Sequence, residues 1–269
     1  MKEFLKGLVE RVPLLQGPAY WTYIATMVPK YKALDYAYRK FGYIPNSLSD
    51  RGQDRFVIDD VFKGKRGGYF LEMGAADGFD GSNTFVLEKT YGWTGLLIEP
   101  NPEFFEKLQG RYNRTATCAP ILVDTVSGKQ EFLMDGQRSG ITVDEADNSA
   151  GKRGDKLINA RSHAKTAVLD AMTLDEALDH YGAPKVIDYF SFDVEGAETR
   201  IMRNFPFDKY TFLAMTIERP TPEINALLFK NGYHFVRNSL YDTFYVHESV
   251  PGFDSIPKKP FRQLPPKKF

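Results

Sequence analysis

One cysteine, Cys118, is all the sulfhydryl chemistry in a chain of 269 residues. It has no partner for an internal disulfide, and no cysteine cluster exists to hold zinc, so a reducing, cytoplasmic setting is expected. No apolar run is long enough to span a bilayer. Lys6, Glu10, Arg11 and Pro13 interrupt the first residues, so no signal peptide is expected there. Net charge is also missing: 35 basic residues stand against 35 acidic ones, so no global field draws the chain to nucleic acid. No internal repeat is visible. What charge asymmetry there is sits at the ends. The tail after Asp254 carries Lys258, Lys259, Arg262, Lys267 and Lys268 with no acid, which reads as a solvated terminus.

What is present is an alternation of buried strands and helices. Residues 1–50 form an aromatic-rich appendage with helical rather than alternating spacing. Pro13, Pro18 and Pro29 are expected to break it into short helices. Its aromatics are expected to pack on the main domain, or on a second copy in a homo-oligomer, rather than on lipid. Residues 51–250 form the main domain and 251–269 a basic tail. In the main domain, residues 69–73, 94–98, 116–123, 166–169, 186–194 and 210–217 read as strands. Helices are expected over 83–90, 102–111, 173–181, 197–204 and 222–231, with Asn101 as the N-cap of the second. Residues 233–236 and 242–246 read as a closing antiparallel pair. The class is α/β: an open, mostly parallel sheet with helices on both faces. Residues 136–165, rich in Gly, Ser, Asp and Lys, lack periodicity and read as a lid loop containing Arg138, Ser139, Arg161 and His163.

Ligands of such sheets bind beyond the carboxyl ends of the strands. The first strand ends in Glu72-x-Gly74-x-x-x-Gly78. Gly74 lets the backbone turn sharply against a ligand. A dinucleotide fingerprint would have a central glycine where Ala76 stands. Here two acids, Glu72 and Asp77, flank the turn. Carboxylates repel a pyrophosphate and suit a zwitterionic sulfonium, which favours S-adenosyl-L-methionine over NAD. Asp77 is expected on the cofactor ammonium, Glu99 on the ribose hydroxyls and Asp124 on the adenine amino group. Further on, Asp193 and Glu218 end two more strands. They are candidates to orient a hydroxyl, to take its proton, or to hold a Mg²⁺ ion that acidifies it.

The residues Gly52-Gln53-Asp54, Gly68 to Gly78, Ser82-Asn83-Thr84 and Gly92 to Pro102 form an ordered set. Ile187 to Glu198 and Asn231-Gly232-Tyr233 continue it. In this set the chain resembles the FkbM family of S-adenosylmethionine-dependent methyltransferases, over about residues 47–246. The resemblance implies a class I, Rossmann-like methyltransferase sheet of seven strands with the last antiparallel. It implies methyl transfer to oxygen, a hydroxyl of a saccharide or of a glycosylated or natural-product acceptor. It places Glu72, Gly74, Asp77, Gly78, Asn83 and Glu99 at the cofactor, and Asp193 by the transferred methyl. Two rival readings remain at this level. One is an NAD-dependent oxidoreductase or epimerase on a similar sheet; the other is a non-catalytic α/β module that docks through its termini.

Overall fold

Residues 18–134, 136, 139–141 and 165–265 are described by the computed structural model. Helix α1 (Pro18–Phe41) leads into a short helix α2 (Gln53–Arg55), which continues as a π-helical turn, Phe56–Val61. Then come β1 (Tyr69–Met73), α3 (Phe85–Tyr91), β2 (Thr94–Ile98), α4 (Pro102–Gly110), β3 (Thr117–Ala119), β4 (Leu122–Val123), β5 (Gly128–Met134) and β6 (Gly140–Ile141). The second half runs β7 (Lys165–Met172), α5 (Leu174–His180), β8 (Val186–Phe192), α6 (Glu198–Met202), β9 (Thr211–Glu218), α7 (Pro222–Lys230), β10 (Tyr233–Ser239) and β11 (Asp242–His247).

The central strands are continuous apolar runs because both their faces are covered. Leu71 and Met73 of β1 pack with Leu96, Ile98, Phe190 and Phe192 in one buried cluster. Phe70 packs with Leu97, Tyr189 and Ala214 in another. Side chains of period two thus feed two cores, one on each side of a single sheet. That sheet has seven strands in the order β10-β11-β9-β8-β1-β2-β3. β9, β8, β1, β2 and β3 are parallel. β11 runs antiparallel to both β9 and β10. This is the expected class I sheet, α/β and mostly parallel, with its last strand reversed.

Two expectations change, and a third falls largely outside the described residues. The proposed third strand over 116–123 is two strands in different sheets. β3 pairs with β2, Pro120 follows, and β4 pairs with β7 instead. Proline lacks the N–H that would carry the ladder onward. The second sheet, β4-β7-β5-β6, has four strands. The described part of the N-terminal appendage carries one unbroken helix followed by a loop over residues 42–50: α1 runs through Pro29. Tertiary packing offsets the lost backbone bond. Tyr31 is buried, the Tyr38 ring lies edge-on to Phe85 at 5.2 Å, and its hydroxyl donates to the Tyr112 carbonyl at 3.1 Å. The main domain therefore covers one side of this helix. Finally, the lid expected over 136–165 lies outside the described residues apart from Gly136, Ser139–Ile141 and Lys165. No helix among the described residues is long and apolar enough to cross a membrane.

Candidate active site

A cavity of about 230 Å³ opens at the carboxyl ends of β1, β2 and β8. Its polar lining includes Glu72, Asn83, Glu99, Ser191 and Asp193. The small second sheet contributes an apolar wall of Leu122, Val123, Phe132 and Ile141.

The loop after β1 is built for close approach. Gly74 has φ +76°, and a Cβ there would sit 2.0 Å from the Asp193 carbonyl oxygen. Only glycine lets the β1 and β8 loops meet like this. Gly78, at φ +75°, backs onto Leu108, whose Cδ1 would be 2.5 Å from an added Cβ. Its carbonyl accepts from Arg114 Nη1 at 2.7 Å. Arg114 also donates to Glu88 at 2.8 Å and to Thr84 Oγ1 at 2.8 Å, so a buried cation ties the turn to α3. Glu72 accepts from the Asn83 N–H at 2.8 Å and from Ser82 Oγ at 3.1 Å. Burial raises its pKa, although Arg114 and these hydrogen bonds pull the other way. Its carboxylate thereby fixes the Ser82–Thr84 bend. Asn83 Nδ2 donates to Ser191 Oγ at 2.7 Å, while its buried Oδ1 has no hydrogen-bond partner.

Glu99 follows β2 and faces the cavity. One carboxylate oxygen accepts from Ala76 N–H and the other from Asn101 N–H, both at 2.8 Å. Burial pushes its pKa up to about 7 despite these two bonds. The Asn101 cap forms as expected, its Oδ1 accepting from the Glu103 N–H at 2.9 Å.

Two of the acids singled out in the sequence are occupied elsewhere. Asp77 Oδ1 accepts the N–H groups of Phe79 at 3.0 Å and Asp80 at 2.9 Å, which makes it the clamp of its own turn. Asp80 lines the cavity instead. Burial and the neighbouring Asp77 raise the Asp80 pKa to about 6. Asp124 follows β4, not a strand of the main sheet. Its carboxylate is paired with Arg200 through bonds of 2.6 and 3.0 Å, and it is absent from the cavity wall. Asp50 also lines the cavity, and the strand pattern held no signal for it, because it lies outside the βα units.

Beside the Gly74 turn, Asp193 and Glu218 come together, and Glu195 joins them. Oxygens of the three carboxylates lie within 4.8 Å of one another. Asp193 opens to the cleft yet is crowded by protein. That crowding, followed by Glu218, Glu195, Asp242 and Glu198, holds its pKa well above the ordinary aspartate range. Behind it, burial raises Glu198 to about 8, its carboxylate accepting from Val194 N–H at 2.9 Å. Asp242 rises to about 7 from burial and from Glu218. The Arg219 guanidinium stands 3.4 Å from Glu218 and stacks at 3.8 Å on the Tyr241 ring.

A seven-stranded sheet in this order, with a glycine turn after the first strand and acids beyond the next, defines a class I methyltransferase architecture. Residues 72–235 match the Methyltransferase FkbM domain, more than half of the chain, and the chain belongs to that family. Among solved structures it is similar to a methyltransferase from Pyrococcus furiosus at 14% identity. That match covers 83% of this chain and 96% of the other, with a TM-score of 0.39. The FkbM methyltransferase from Methylobacillus flagellatus KT is similar at 14% identity, over 81% of this chain and 50% of that one, with a TM-score of 0.40. TrmK of M. capricolum, solved with S-adenosyl-homocysteine, is similar at 9% identity over 74% and 68%, with a TM-score of 0.38. No curated protein matches the chain.

Proposed function

We propose that this chain transfers the methyl group of S-adenosyl-L-methionine to a hydroxyl oxygen, with a saccharide or a glycosylated or natural-product acceptor as substrate. The observation that carries the reading is the position of Asp193. Its backbone is pressed against Gly74, and its carboxyl shares a cleft with Glu99. A cofactor whose ribose hydroxyls donate to Glu99 and whose methionine end lies along the Gly74 turn would present its sulfonium to Asp193. The net negative lining suits a cationic ligand and disfavours the pyrophosphate of a dinucleotide.

The chemistry asked of the protein is modest, because a sulfonium is already a good leaving group. Positioning of the acceptor oxygen in line with the methyl supplies much of the acceleration. Asp193, in its ionised form, accepts the hydroxyl proton as the oxygen attacks. Its raised pKa makes it a stronger base than a free aspartate. The Asp193, Glu195 and Glu218 oxygens also form the all-oxygen donor set that a Mg²⁺ ion takes, and such an ion would acidify the hydroxyl. Chelation separates the two routes. A rate unchanged by EDTA leaves proton removal to Asp193 alone. A rate lost and restored by Mg²⁺ assigns the ion.

The test of the reading is formation of S-adenosylhomocysteine on incubation with S-adenosylmethionine and a panel of saccharide acceptors. Asp193→Asn should lower turnover roughly 100- to 10,000-fold, the range for loss of a general base, with cofactor affinity kept. Turnover that survives this substitution would overturn the base assignment. Saturable NADH binding without adenosylhomocysteine binding would overturn the whole reading.

A further inference from the structure

With Asp77 turned into its own loop, the cofactor's amino-acid end needs another anionic partner. The cavity offers one from outside the βα units. Asp50 sits in the segment between α1 and α2, and its side chain lies against Gly81, 3.7 Å from the position a Cβ would take there. It lines the same cavity as Asp80 and Asn83.

This segment is held in place from three directions. The wholly buried Asp54 accepts from Ser47 Oγ at 2.8 Å, Leu48 N–H at 2.7 Å, Ser49 Oγ at 2.6 Å and Ser49 N–H at 3.2 Å. From α1, the Tyr31 hydroxyl donates to the Asp50 carboxylate, with the Leu48 carbonyl also in reach at 3.2 Å. From the β10–β11 hairpin, Ser239 Oγ donates to the Arg51 carbonyl at 3.1 Å. A loop with this many anchors is preorganised rather than merely passing by.

We infer that Asp50, positioned by Tyr31 of the N-terminal helix, binds the α-ammonium of the cofactor together with Asp80 and the unpartnered Oδ1 of Asn83. The inference rests on the proposed use of S-adenosylmethionine. An ammonium has three donors, and here it meets two carboxylates and one amide oxygen that lacks any other partner. The ligand cation also relieves the repulsion among Asp50, Asp77 and Asp80, which otherwise helps to raise the Asp80 pKa. The N-terminal helix is thereby part of the cofactor site, although it lies outside the matched family domain.

The experiment compares two ligands by titration calorimetry on the full chain. S-adenosylhomocysteine carries the ammonium; methylthioadenosine shares the nucleoside and lacks the amino acid. Asp50→Asn and Asp80→Asn should each weaken adenosylhomocysteine roughly 10- to 100-fold, the size of a charge-assisted hydrogen bond, and leave methylthioadenosine within about twofold. Tyr31→Phe keeps the Asp50 charge but frees it, and should weaken adenosylhomocysteine alone by several-fold. Equal losses for both ligands, or no loss for either, would overturn the inference. Wild-type protein that binds neither ligand would instead defeat the functional reading beneath it.

Discussion

At Gly74 the backbone has no room for even one more carbon, since an added Cβ would sit 2.0 Å from the Asp193 carbonyl oxygen. Gly74→Ala should cost roughly 2–4 kcal/mol, from a left-handed φ and from overpacking together. Thermal melting would report that loss, and adenosylhomocysteine binding should fall with it. Glu99→Gln is a different kind of change. The amide offers one acceptor oxygen where the carboxylate now meets two N–H groups, and ribose binding should weaken roughly 10-fold or more. Circular dichroism should stay unchanged. The strand-end acids Glu99 and Asp193 were legible in the sequence because strand position alone puts them at the cleft. The choice between Asp77 and Asp80 was not. Both stand in one turn, and which carboxylate clamps the backbone is decided by loop geometry that spacing does not encode.

Among the elements, the segment between α4 and β3 ties back to α3 through Arg114 and Glu88. Arg114 and Glu88 have side chains 0% and 2% exposed, so each is the other's main compensation for burial. Arg114→Met should destabilise the fold by roughly 2–4 kcal/mol, because Glu88 loses its closest cation and keeps only Lys89 Nζ at 3.0 Å and the Thr115 N–H at 2.8 Å. Denaturant unfolding measures this directly. An unchanged midpoint would mean that water reaches Glu88. The main sheet was readable because its strands are long apolar runs buried on both sides. The wall of the cleft was not readable. β4 and β6 have two residues each, too short for any period to show, and Pro120 divides what looks like one strand. That division is why Asp124 ends up on Arg200 rather than at the cleft. Helix α1 was misread for a related reason: Pro29 is a breaker locally, and only the contacts of Tyr31 and Tyr38 with the main domain explain why the helix continues.

Over the whole molecule, the cleft concentrates like charge in a chain with no net charge. Asp80, Glu99, Asp242 and Glu198 have folded pKa values of about 6, 7, 7 and 8, all above those of an unfolded chain. The folded state therefore holds more protons than the unfolded one through this range. Their contribution is fully present below about pH 4 and is lost as pH rises through about 8. The ligand-free protein should lose melting temperature steadily between about pH 5.5 and 8.5. A ligand that sets an ammonium against Asp80 and ribose hydroxyl donors against Glu99 reverses the trend by favouring the ionised carboxylates. Adenosylhomocysteine should thus release protons when it binds near neutral pH, seen as a dependence of calorimetric heat on buffer ionisation enthalpy. Proton uptake would contradict the electrostatic account.

The central claim is geometric: one cleft brings a sulfonium to Asp193. A crystal structure of the chain with S-adenosylhomocysteine tests it most directly. The account predicts ribose hydroxyls on Glu99, the amino-acid end along the Gly74 turn, and the sulfur facing the Asp193 carboxylate. A ligand bound in this cleft with its sulfur turned away from Asp193, or bound anywhere else, would contradict it.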